Sequence, residues 1–268
     1  MKYAFVSFSC PDANLATALE MARTYGYSGI EARSGVGHHH GIELGLAPDE
    51  IAHIRESFQA SGIALPCLGI SCRYSKPETV DSNIDETMAY IQLAHLLGVP
   101  LLRVFCGEIP GGAERDRDET RARIVAALKQ LAPAAADAGV TLAVETHDDW
   151  SDPEEMAAIM RAVDHPAVGV VWDVMHTLRG GNASMEEAYH VLKPWIRHVH
   201  FHDGLLDRAQ LTFLPVGQGE IDHRPVVRIL LENHYEGHVS GEWLDWEAPE
   251  LHLPREIAAM LRYERELS

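Results

Sequence analysis

Eight short runs rich in β-branched and aromatic residues recur along this chain, separated by stretches long enough for a helix, and the last four runs close on a metal-binding side chain. The runs are Tyr3 to Ser7, Gly29 to Ala32, Ala64 to Ile70, Leu101 to Phe105, Thr141 to Glu145, Gly169 to Asp173, His198 to His202 and Gly237 to Glu242. The four closing side chains are Glu145 in TLAVETH, Asp173 in VGVVWDVMH, His200 in IRHVHFHD and Glu242 in GHVSGEW. Parallel strands need helical crossovers, and consecutive ones deliver their C-terminal ends to one rim. The alternation therefore predicts an α/β fold, a single (β/α)8 TIM barrel covering residues 1–268 as one domain, with its chemistry on the rim of strands five to eight. The length of 268 residues suits the roughly 250 of such a barrel.

Start and stop signals agree. Apolar residues at helical spacing, such as Leu15, Leu19 and Ala22, then Ile124, Leu128 and Leu131, fill the intervening stretches. Pro48-Asp49-Glu50 opens the second helix, and Gly26, Gly98 and Gly139 follow helical runs where a left-handed residue ends them. Pro133 predicts a kink or a break in the fourth helix.

Glu145, Asp173, His200 and Glu242 supply three oxygen donors and one imidazole. That set suits Mn²⁺, Mg²⁺ or Co²⁺ and remains open to Zn²⁺. One such residue at a strand end reads as a cap or a rim ion pair, but four on successive strands read as ligands of one divalent ion. The apolar or small residues before Asp173 and Glu242 strengthen this, because a carboxylate approached that way is costly to bury unless a cation meets it. In the seventh strand His198, His200 and His202 share one face at period two, and the middle one is the expected ligand. His202 is a candidate substrate contact, and His176, three residues past Asp173, either touches substrate or completes a second metal position. His147 is a candidate contact or a rim histidine, and Asp203 either contacts substrate, fixes an imidazole or caps the following loop. Glu31, Arg33, Arg73, Arg103 and Glu108 lie near the ends of the early strands and are candidates for setting specificity.

The excess of 40 acidic over 22 basic residues, a net charge of −18, argues against nucleic acid or anionic membranes as partners. Cys10, Cys67, Cys72 and Cys106 form no CxxC pair and are expected as buried free thiols. Met1 stands two residues before a strand-like run and no apolar run is long enough to span a bilayer, so no signal peptide is expected and a cytoplasmic location is. The sequence leaves homo-oligomerisation open.

In this order and spacing the motifs resemble the sugar phosphate isomerase/epimerase superfamily, the xylose isomerase-like TIM barrels that include ketose 3-epimerases, hydroxypyruvate isomerase, inosose dehydratase and endonuclease IV. The resemblance covers nearly the whole chain. It rests on Glu145, on Asp173 with His176 three residues later, on His200 within HVHFHD, on Glu242, and on a GxGxID-like loop at Gly217 to Asp222. It implies one divalent metal, Mn²⁺ first, held by Glu145, Asp173, His200 and Glu242. It also implies that Glu145 and Glu242 are catalytic, taking and returning a proton next to the carbonyl of a small carbohydrate through a metal-stabilised enediolate. Dehydration of an inosose-type substrate is the alternative, and endonuclease IV-like phosphodiester cleavage a lesser one, since the early strands lack the histidines of a three-zinc cluster. The scarcity of basic residues along the expected rim favours an unphosphorylated substrate, a free sugar, polyol-derived ketone or hydroxy-carbonyl acid.

Overall fold

The computed structural model describes residues 1–112, 116–207 and 209–268. Eight strands form a closed parallel barrel: β1 (Lys2–Val6), β2 (Gly29–Arg33), β3 (Cys67–Arg73), β4 (Leu101–Phe105), β5 (Thr141–Glu145), β6 (Val168–Asp173), β7 (Ile196–Phe201) and β10 (His238–Gly241). The order around the barrel is β1-β10-β7-β6-β5-β4-β3-β2, so β10 pairs with β1 and no strand edge stays open. Two further strands, β8 (Asp203–Gly204) and β9 (Phe213–Leu214), form an antiparallel ribbon above β7. The helices α1 (Leu15–Tyr25), α2 (Pro48–Ser61), α3 (Val80–Leu97), α4 (Arg117–Asp137), α5 (Pro153–Val163), α6 (Val174–Arg179), α7 (Met185–Leu192), α8 (Arg224–Glu232) and α9 (Pro249–Leu267) surround the barrel.

The expected architecture is the observed one, with local shifts. The third strand begins at Cys67 rather than Ala64, because Pro66 has no N–H for the ladder; Ala64 keeps only an isolated bridge to Gly29. Glu242 lies one residue beyond β10, and β7 ends at Phe201, which leaves His202 just past it. Pro133 does not break α4, which runs on to Asp137 without the one hydrogen bond that proline cannot donate. Gly26 and Gly98 end α1 and α3 in the left-handed region at φ 86° and 74°. All four cysteines are buried free thiols, and no described helix is long and apolar enough to cross a membrane.

Register places the chemistry. Asp173 is paired with His200 across β6 and β7, and His200 with Ser240 across β7 and β10, so these side chains share the inner face at one level. Glu145 pairs with Val171 and Val171 with His198, one layer lower on the same face. The barrel interior at this end is polar: Glu31, Arg103, His198 and His200 are fully buried.

Candidate active site

The four side chains expected as ligands converge. One donor atom from each of Glu145, Asp173, His200 and Glu242 lies within 4.8 Å of the others. His200 points Nδ1 at this group, 3.2 Å from Glu242 Oε2 and 3.7 Å from Glu145 Oε1, while its Nε2 lies 2.9 Å from Glu31 Oε2. An Nε2–H donated to Glu31 leaves the Nδ1 lone pair facing the carboxylates, the tautomer a metal ligand needs. Both oxygens of Glu145, Oδ2 of Asp173 and Nδ1 of His200 are buried without a hydrogen-bond partner. Leaving that many buried polar atoms unmatched is costly. A divalent cation among them removes the cost, so the donor set fits the metal that its chemistry suggests.

A second ring of contacts holds the first. Glu31 accepts from His200 and from His198, each at 2.9 Å, and His198 Nε2 also lies 2.9 Å from Ser240 Oγ. Burial opposes ionisation of Glu31, yet His200 and His198 keep its carboxyl well below the ordinary range. Arg103 is fully buried, with Nε 3.3 Å from Glu145 Oε2 and Nη2 3.6 Å from Glu242 Oε1, its guanidinium 4.3 Å over the Phe105 ring. Burial alone would raise the Glu242 carboxyl, but His200 and Arg103 pull it down to about 2.

Asp173 does two jobs. Its Oδ1 accepts from His176 N at 2.7 Å, capping α6, and His202 Nε2 lies 3.2 Å from Oδ1 and 3.0 Å from Oδ2. His202 therefore holds the Asp173 carboxylate as well as lining the cavity. Beside it the His176 ring stands 4.4 Å from His147 and 5.6 Å from His202. Burial pushes His176 down to about 4, with His147 and His202 adding to the effect. His147 goes the other way: burial opposes its charge, but Asp148, 2.8 Å from Nδ1, lifts it to about 9.

Asp203 faces away from the cavity. Its two oxygens accept from four backbone N–H groups, of Gly204 at 2.7 Å, Gly217 at 2.8 Å, Gly219 at 3.1 Å and Ile221 at 3.1 Å. Of the roles open to it in the sequence, the structure supplies the loop cap, and it commits the Gly217 and Gly219 amides to Asp203 rather than to a ligand. His38 and His40 meet Ser7 Oγ at 2.9 and 3.3 Å and tie the loop after β2 to the end of β1. The roles of Glu31 and Arg103 escaped the sequence reading. The clue was present in GIEAR and LLRVF, where a charge sits inside an otherwise apolar strand.

Above the donors lies a cavity of about 230 Å³ whose wall includes Arg33, Arg73, Arg103, His147, His176, His202 and Glu242, with Phe8, Leu211 and Leu244 at its lip. A larger polar cavity of about 570 Å³ adjoins it and shares His147 and His176, but none of the four donors lines it. The chemistry belongs to the smaller one. The rim is also richer in cations than the sequence suggested, since Arg33, Arg73 and Arg103 all reach this wall.

The family model described as a xylose isomerase-like TIM barrel matches residues 19–263. An inosose dehydratase of Clostridium botulinum is 30% identical over 154 residues, 49% of this chain and 49% of that protein; the chain thus matches about half the length of the curated relatives. Three solved structures share the fold across the molecule. A 3-keto-D-glucoside 4-epimerase from E. coli has a TM-score of 0.81 at 15% identity, covering 98% of this chain and 99% of its own. A D-psicose 3-epimerase from Clostridium cellulolyticum has a TM-score of 0.79 at 18% identity, covering 100% and 99%. The probable 3-DHS dehydratase AsbF from Bacillus anthracis has a TM-score of 0.78 at 16% identity, covering 97% and 99%.

Proposed function

Because the chain belongs to the xylose isomerase-like TIM barrel family, we propose that it is a divalent-metal-dependent isomerase or epimerase that moves a proton on the carbon next to the carbonyl of a small sugar or sugar derivative. The observation that carries this reading is the convergence of Glu145, Asp173, His200 and Glu242, with both Glu145 oxygens, Asp173 Oδ2 and His200 Nδ1 buried without a hydrogen-bond partner. These four would hold the ion, and Mn²⁺ suits the three oxygens and one nitrogen best, with Mg²⁺, Co²⁺ and Zn²⁺ also compatible. When bound, the ion supplies positive charge against the oxyanion that develops as the C–H bond breaks.

The protein supplies the rest. Glu145 and Glu242 come from β5 and the end of β10, with β6 and β7 between them, so they reach a substrate from different directions. One carboxylate takes the proton and the other returns it. Return to the opposite face of the same carbon is epimerisation; return to the neighbouring carbon is isomerisation. Arg103 lies beside both, 3.3 Å from Glu145 Oε2 and 3.6 Å from Glu242 Oε1, and sets its positive charge against theirs. Phe8, Leu211 and Leu244 at the lip limit water at the reacting carbon.

One observation favours dehydration as a second reading. His147, lifted to about 9 and lining the cavity, is charged at neutral pH and would protonate a departing hydroxyl; the inosose dehydratase likeness points the same way.

Both readings are tested by incubating the Mn²⁺-loaded protein with free ketoses, inososes and hydroxypyruvate in deuterated water. The expected result is deuterium at the carbon next to the carbonyl of at least one compound, with loss of water marking dehydration. Glu242→Gln is expected to keep part of the metal and slow exchange by about 10²–10⁴-fold. Exchange within about tenfold of wild type in that variant would refute the two-glutamate scheme.

A further inference from the structure

The cations on the cavity wall exceed what the carboxylates around them need. Glu31 is engaged by His198 and His200 at 2.9 Å each, and Asp173 by His202 and the His176 amide. Glu145 and Glu242, the two that face Arg103, are the ones the proposed ion takes up. Arg33 and Arg73 are left over. Among the described residues no carboxylate forms an ion pair with Arg33, which is buried at 4% exposure. Its Nη1 donates to the Ser34 and Gly69 carbonyls at 2.6 and 2.8 Å and its Nη2 to Ser71 Oγ, while Nε has no partner. Arg73 stands half exposed over the Phe105 ring, 5.2 Å from its centre, and its nearest acid, Asp148 at 3.9 Å, is already paired with His147. Two guanidinium groups thus line a cavity of about 230 Å³ next to Arg103, Arg33 without an ion-paired carboxylate among the described residues and Arg73 with only a 3.9 Å share of Asp148.

We propose that the substrate is an anionic carbonyl compound whose oxyanion end lies against Arg73 and Arg33 while its carbonyl end reaches the Glu145, Asp173, His200 and Glu242 cluster. This rests on the metal-dependent reading above, since the ion takes up Glu145 and Glu242 and leaves neither carboxylate to balance Arg33 and Arg73. A neutral sugar leaves the buried Arg33 charge uncompensated, which is costly. A carboxylate or phosphate compensates it and matches the planar fork of a guanidinium. The space equals about eight water volumes, which fits a compact acid with its carbonyl a few carbons from the anionic end. Arg73 and Arg103 both pack against the Phe105 ring, 5.2 and 4.3 Å from its centre, so the anion meets guanidinium groups that are already oriented.

Calorimetric titration of the Mn²⁺-loaded protein with D-fructose, 5-keto-D-gluconate and D-fructose 6-phosphate tests the proposal. These probes share a ketose skeleton and differ in carrying no charge, a carboxylate or a phosphate. At least one anionic ketose is expected to bind tenfold or more tighter than fructose, and which of the two does so identifies the oxyanion. Arg73→Gln, at an exposed position that tolerates change, is expected to bring that ligand to within about twofold of fructose; Arg33→Gln, where it folds, is expected to do the same. Binding of all three ketoses within twofold, no binding of either anionic ketose, or an anion preference that survives Arg73→Gln would each overturn the proposal. Failure of the proton-transfer reading shows separately, as absence of deuterium uptake from every ketose.

Discussion

At the scale of single residues, Glu31 decides how His200 is presented. It takes the Nε2–H and leaves Nδ1 free for the donor cluster. Glu31→Gln is expected to lower Mn²⁺ affinity by about 10–100-fold, the usual effect of removing a carboxylate behind a ligand histidine. His200→Ala should weaken Mn²⁺ more than His198→Ala or His202→Ala, and the opposite ranking would move the ligand along β7. Titration of each purified variant with Mn²⁺, followed by electron paramagnetic resonance, gives the order. The four donors were legible in the sequence because each follows an apolar strand in a repeating unit. Glu31 was legible only as a charged residue near a strand end. Its partners stand 167 and 169 residues away, and barrel closure, which no local pattern encodes, is what joins them.

At the scale of elements, the segment between β7 and α8 is built around one carboxylate. Asp203 gathers four amides across Gly204 to Ile221, and a Cβ on Gly219 would come within 2.1 Å of its Oδ1. Asp203→Ala leaves those amides without their acceptor and is expected to cost about 1–3 kcal/mol, read by urea denaturation. It should also make the loop before α8 the first site of proteolysis. Unchanged stability together with unchanged cleavage would mean that the loop holds itself. The turn was evident in the GQGEID spacing. That Asp203 would own its amides was not, because a glycine turn looks the same whether a ligand or a side chain occupies it. Strand boundaries were blurred for a related reason: Pro66 ends one ladder and Val6 gives way to a 3₁₀ turn, both settled by hydrogen bonding rather than by apolar periodicity.

At the scale of the whole molecule, alternation of eight apolar runs pointed to parallel strands covered by helices, and polar residues closing four consecutive strands pointed to the shared rim that a barrel provides. Its stability should be sensitive to acid. His40, buried and against His38, is pushed down to about 4 from an ordinary 6.5, so the unfolded chain binds the proton that the folded one refuses. The stabilisation is complete above pH 6.5 and is lost as pH falls towards 4, at most about 3 kcal/mol. His40→Gln should therefore flatten the difference in unfolding free energy between pH 7 and pH 4.5; an unchanged slope would clear His40 of the effect. With few histidines at the early strand ends and a net charge of −18, the protein is also expected to bind one catalytic metal per chain and to show no salt-sensitive affinity for duplex DNA with an abasic site. Three clustered zinc ions with nicking of that DNA would reassign the chemistry and leave the barrel unchanged.

The arginines on the cavity wall come from β2, β3 and β4, whereas every donor of the cluster comes from β5 onwards. On the proposed reading, the anion-binding arginines and the proton-transfer cluster are thus inherited on different halves of the chain. A hybrid gene that joins the first half of a relative to the second half of this protein should exchange its preferred compound and keep its reaction, provided that the donor half retains a glutamate at the position of Glu31. Glu31, together with Arg103 beside Glu145 and Glu242, is where one half still has to know about the other.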